Sequence, residues 1–106
     1  MKKILLIVLL AISMDVFGGS VMFFTGNDLI RWYKGYDNAQ INAYVSGVVD
    51  GMPNILEKLI CIPIGTEVQQ ISQITYNYLQ KNPTQWALNG AYIVEYSLMD
   101  AYPCKK

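Results

Sequence analysis

The sequence contains no histidine. That absence removes the commonest general base, the commonest zinc ligand and every histidine-based triad. Cysteine is scarce too, with only Cys61 and Cys104 in the chain. Metal-ligand spacings and glycine-rich phosphate loops are both missing. Charge is sparse and balanced: eight basic residues face eight acidic ones. No basic stripe suits nucleic acid, and no polybasic patch suits an anionic membrane surface. The longest apolar run, Ile4 to Ile12, is too short for a bilayer, which needs about 20 residues. Repeats, linkers and low-complexity segments are absent. So is any sustained apolar–polar alternation of the kind a half-buried strand shows.

What is present starts with that short apolar run. Lys2 and Lys3 precede it, and the small residues Gly18, Gly19 and Ser20 follow. Basic, apolar and small regions in that order read as a secretory signal peptide over residues 1–20. Cleavage fits after Gly18 or after Ser20; a retained membrane anchor is the competing reading. No cysteine lies near the cut, so a lipid-anchored form is not expected. One domain remains, residues 21–106, with six basic and seven acidic side chains. A domain of that size buries only about 60–65% of its unfolded surface, so a covalent staple would help it. An exported compartment permits disulfides. The simplest arrangement pairs Cys61 with Cys104. Two free thiols and an intermolecular bridge are the alternatives.

Helical periodicity organises the domain into four helices, an all-α, bundle-like fold. Thr25 or Asn27 caps the first helix, Asp28 suits its first turn, and Leu29, Trp32, Tyr33 and Tyr36 recur along it. The central helix covers Ala39 to Met52 and ends at Pro53. Ile41, Val45, Val48, Val49 and Met52 form its bulky stripe. Ala43, Gly47 and Gly51 form a small-residue stripe into which another helix is expected to settle. Residues 54–60 continue that helix after a kink or make a short turn, and Cys61 to Gly65 is an extended link. A third helix starts at Thr66, boxed by Gln69. Val68, Ile71, Ile74, Thr75, Tyr78 and Leu79 face its core, and Gln69, Gln70, Gln73, Asn77 and Gln80 face out. Asn82, Pro83 and Gln85 read as the start of a fourth helix running to about Ala101. Its core face carries Trp86, Ala87, Gly90, Ile93, Val94, Ser97, Leu98 and Ala101.

Little in this set performs chemistry. Asp50 and Glu57, seven residues apart, would share a face of a straight helix, but Pro53 lies between them. Asp50 alternatively satisfies a buried donor such as a tyrosine hydroxyl. No metal site and no cofactor is expected. The excess is in tyrosine, with eight in the chain. Tyr44 and Tyr78 read as core-edge residues. Leu88, Tyr92, Tyr96 and Met99 form a second apolar strip on helix four, away from its core face, and read as a protein–protein or dimer surface. The competing cover for that strip is the lead-in Val21-Met22-Phe23-Phe24.

Five pieces of the chain, taken in order, carry a family resemblance. They are Gly26-Asn27-Asp28-Leu29, Tyr44-Val45-Ser46-Gly47-Val48-Val49-Asp50, Cys61-Ile62-Pro63, Tyr78-Leu79-Gln80-Lys81-Asn82-Pro83 and Tyr102-Pro103-Cys104. Together, behind a signal peptide, they resemble the Rap/Tai family, the periplasmic immunity proteins paired with type VI secretion amidase effectors. Many members carry a further cysteine in the first helix, where this chain has Trp32-Tyr33-Lys34. The resemblance implies a periplasmic protein, often a homodimer, that binds a peptidoglycan amidase toxin and blocks its active-site groove without doing chemistry itself. The alternative is a small exported helical enzyme or ligand-binding protein.

Overall fold

The structure is a computed structural model that describes residues 23–105. The expected signal peptide and the start of the lead-in lie outside the described residues. Those residues form four α-helices: α1 (Gly26–Lys34), α2 (Asn38–Asp50), α3 (Val68–Lys81) and α4 (Gly90–Ala101). Short 3-10 turns cover Asn54–Lys58 and Pro83–Gln85.

Local chemistry explains most of the boundaries. The Asp28 carboxylate accepts the backbone N–H of Thr25, which fixes the entry to α1. Gly35 ends that helix, and Tyr36 turns the chain through a left-handed conformation at φ 56°. Asp37 caps α2 through the N–H of Gln40. The capping box of α3 sits one residue later than the Thr66–Gln69 pattern suggests: Glu67 is the cap and Gln70 closes the box. The Thr66 hydroxyl instead donates to the Pro63 carbonyl in the preceding turn.

Helix four begins at Gly90 rather than Pro83. The start signals at Asn82, Pro83 and Gln85 are used for other bonds. Asn82 donates its side-chain amide to the Tyr78 carbonyl, and Gln85 accepts the Tyr78 hydroxyl. Asn89 takes over the capping role by accepting the N–H of Ala91. The turn between, Trp86 to Asn89, runs against the start of α1. Gly26 and Asn27 donate to the carbonyls of Leu88 and Trp86 at 3.0 and 2.8 Å, and Gly90 donates to Phe24 at 2.8 Å.

The core is built from Leu29, Ile41, Val45, Ile71, Leu79, Ile93, Val94 and Leu98, with Ile30 and Ile60 at its edge. The bulky stripe of α2 faces it as its periodicity requires. The small stripe does not accept another helix: Ala43, Gly47 and Gly51 are all exposed, and apart from its own turns of α2 nothing among the described residues comes within 4 Å of where a Gly47 Cβ would stand. Close backbone approach occurs at Gly26 and Gly90 instead. A Cβ on Gly26 would lie 2.5 Å from Ile93 Cδ1 and 2.9 Å from the Trp86 backbone. One on Gly90 would lie 2.8 Å from the Tyr44 hydroxyl. The two glycines let the N-termini of α1 and α4 meet. Of the residues expected on the core face of helix four, Ala87, in the turn before α4, and Ala101, at its end, are exposed, so that face is narrower than expected.

Cys61 and Cys104 are bonded to each other, with Cα atoms 5.0 Å apart. The backbone reinforces that staple: Cys61 N–H donates to the Tyr102 carbonyl at 2.8 Å, and Ile60 pairs with Pro103 in a one-residue bridge. The bond ties the 3-10 turn after α2 to the chain beyond α4.

Candidate functional site

Three surface features of this fold can meet a partner. The first is the outer side of α4. Tyr92 and Tyr96, one helical turn apart, are 49% and 40% exposed, with ring centroids 6.4 Å apart. Leu88 is 40% exposed but stands in the turn before α4, because that helix starts late. Met99 packs partly against the core, so the exposed strip is Leu88, Tyr92 and Tyr96. Phe24 does not lie across it: its ring meets Trp32 at 5.0 Å and Tyr44 at 5.7 Å. The neighbouring Glu95 is partly buried, and that burial raises its carboxyl above the usual range.

The second feature is not apparent from the sequence. Ile55, Leu59 and Ile64, which flank Cys61 in the chain, are exposed, and Ile64 is fully so. Ile64 sits at the tip of a turn closed by Thr66 N–H on Pro63, with Gly65 at φ 90° supplying the left-handed position.

The third feature is a cleft between α2 and α3, about 320 Å³ in volume. Tyr33, Asn38, Ile41, Asn42, Gln69, Ser72 and Gln73 line it, and none is charged. Its floor is held by three linked groups. Tyr33 donates its hydroxyl to the Ser72 carbonyl at 2.5 Å, and Ser72 donates its hydroxyl to Asn42 Oδ1 at 2.8 Å. Tyr33 also stacks on Tyr76 with centroids 4.6 Å apart. Burial first, then the adjacent Tyr76, pushes the Tyr33 phenol far above its ordinary range. It therefore stays a neutral donor. Ser72 is buried: four residues after Val68 and three before Thr75, it shares their face of α3 although its side chain is polar.

Asp50 and Glu57, the sequence candidates for catalysis, do not share one helix face. Asp50 ends α2, Pro53 breaks the chain, and Glu57 lies in the 3-10 turn. Asp50 borders a shallow pocket with Ser46, Val49, Thr66, Val68 and Ile71, in which Glu57 takes no part. Asp50 accepts no tyrosine hydroxyl from Tyr33 or Tyr78 either, since these donate to Ser72 and Gln85. Among the described residues no three carboxylate or thiol side chains gather as metal ligands. No described helix is long and apolar enough to cross a membrane. Tyr44 and Tyr78 sit at the core edge, packed against it.

No curated protein and no solved structure matches this chain. A family model does, that of the Rap1a immunity proteins, over residues 25–104, which takes in all four helices and both bonded cysteines. The chain belongs to the Rap1a immunity protein family.

Proposed function

We propose that this protein is exported to the periplasm, where it binds a peptidoglycan amidase effector of a type VI secretion system and blocks its active-site groove sterically. The observation that carries the reading is membership of an immunity family over nearly the whole domain. The signal-peptide pattern of residues 1–20 and the Cys61–Cys104 bond both suit an oxidising, exported setting. The protein does no chemistry in this reading. Leu88, Tyr92 and Tyr96 serve as a contact surface, for a second copy of the chain or for the toxin.

Co-production with periplasm-targeted cell-wall amidase effectors tests the proposal. Cells making the cognate enzyme survive when this protein is made with it. Added in equimolar amount to the purified enzyme, the protein stops release of cleaved peptidoglycan stems. Lysis at the same rate with and without this protein, across the effectors tried, would remove the reading.

A further inference from the structure

The cleft between α2 and α3 is lined on both walls by carboxamides. Asn38 and Asn42 stand one turn apart on α2, and Gln69 and Gln73 stand one turn apart on α3. Four residues of helix advance about 6 Å along the axis. In an extended chain, peptide groups that face the same way repeat about every 6.7 Å. Two ladders of amide side chains thus carry nearly the period of a single extended strand.

The bonding state of the rungs leaves complementary groups free. Asn42 spends its oxygen on the Ser72 hydroxyl, which leaves its NH2 group as a donor. Gln73 spends its nitrogen on Asn77 Oδ1, which leaves its oxygen as an acceptor. A donor on one wall and an acceptor on the other match the C=O and N–H of a peptide group. No lining residue is charged, so nothing there compensates an ionic ligand. Ile41 and Tyr33 add an apolar wall.

We infer that this cleft grips an extended, uncharged segment of a partner polypeptide through its main-chain amides. The inference rests on reading the protein as an inhibitor that holds another protein, and it names where part of that grip lies.

Asn42→Asp with Gln69→Glu is the diagnostic variant. The carboxylate introduced at position 42 still accepts the Ser72 hydroxyl, so the floor stays in place, while donors to a bound main chain are lost and charge is added. Gln40→Glu with Gln80→Glu makes the same charge change at exposed positions outside the lining. Random peptides displayed on phage are selected on the purified exported protein. The expected result is enrichment of peptides with an uncharged centre. Their affinity falls about tenfold or more in the cleft variant and stays unchanged in the control variant. Melting temperatures of all three proteins should agree within about 2 °C. Three results would overturn the inference: no enrichment above bare support, equal binding by the cleft variant, or displacement by millimolar N-acetylglucosamine, which would assign the cleft to an acetamido sugar. Cell protection is read separately. Protection without peptide binding removes the cleft alone, and peptide binding without protection removes the toxin reading alone.

Discussion

Thr75 on α3 and Ser97 on α4 face each other in the middle of the core, their hydroxyl oxygens 3.0 Å apart and almost wholly shielded from water. Ser97 donates to the Val94 carbonyl at 2.7 Å, so its oxygen is the acceptor for the Thr75 hydroxyl. The two ends of this bond are unequal. Thr75→Val leaves Ser97 with its own acceptor and should cost about 1 kcal/mol. Ser97→Ala strands the Thr75 hydroxyl in an apolar interior and should cost about 2–3 kcal/mol. The double variant should lose less than the two single losses combined, because no polar group is then left without a partner. Urea denaturation of the four proteins decides it; strict additivity would mean the bond is not what joins the two helices there.

Glycine substitutions should separate the two kinds of glycine in the fold. Gly26→Ala forces its methyl against Ile93 and against the Trp86 backbone, which cannot rotate aside. Overpacking of that kind costs about 1–3 kcal/mol. Gly47→Ala meets no neighbouring element among the described residues and lies inside α2, so it should gain up to about 1 kcal/mol of helix propensity. Denaturation midpoints moving in opposite directions is the expected outcome. A Gly47→Ala protein that loses stability would restore a packing role for the small stripe.

That contrast shows where the sequence can be read and where it cannot. Periodicity locates the core faces of α2 and α3, because burial on one side leaves a repeat of apolar residues. It does not say whether the stripe of Ala43, Gly47 and Gly51 meets a neighbour, since small residues fit a tight interface and an open surface equally. The start of α4 reads too early because Asn82, Pro83 and Gln85 carry genuine start chemistry, yet Asn82 and Gln85 bond to Tyr78 across the turn. The staple is readable from the cysteine count and the signal-peptide pattern alone. The carboxamide cleft is not: Gln69 and Gln73 look like a solvated face until α2 is packed beside them with Asn38 and Asn42.

The staple has a measurable weight. Cys61→Ser or Cys104→Ser opens a loop spanning a sequence separation of 43 residues and should destabilise by about 2–5 kcal/mol. The chain-entropy picture gives about 4 kcal/mol for a loop of that length. Thiol labelling of the unfolded, unreduced wild-type protein should find no reactive sulfur. Two labels per chain would contradict the bond, whatever the variants do.

Stability should also respond to pH through Glu95. Burial raises its carboxyl in the folded state, so folding favours the protonated form. A raised carboxyl contributes stability below its ordinary pKa of 4.5, and that contribution is lost as pH rises through the higher folded value. Asp28 works in the opposite sense. Its carboxylate is held below its ordinary value of 3.8, first by the Thr25 N–H and then by Arg31, against an opposing effect of burial. Its contribution is therefore present above that ordinary value and is lost as pH falls through the lower folded one. Glu95→Gln should melt higher than wild type at pH 7, with the advantage fading toward pH 4. An offset that is the same at both pH values would assign the effect to shape rather than to charge.

Self-association is the outcome expected from what α4 leaves uncovered. Leu88, Tyr92 and Tyr96 make a run of three large side chains, each at least 40% exposed, on a domain with little surface to spare for them. Phe24 is held by Trp32 and Tyr44, so that part of the lead-in is spent elsewhere. A two-fold axis lets the strip cover itself on a second copy, since each residue then meets its own counterpart or a near neighbour. Tyr rings suit that position, because they bury area and keep the hydroxyl at the wet rim. Tyr92→Glu together with Tyr96→Glu would set like charges against each other across the axis. The expected masses by light scattering at tens of micromolar are two chains for the wild type and one for the variant. Far-ultraviolet circular dichroism should be the same for both, because neither tyrosine is part of the core. A wild-type mass of one chain would remove the dimer and leave the strip for the toxin.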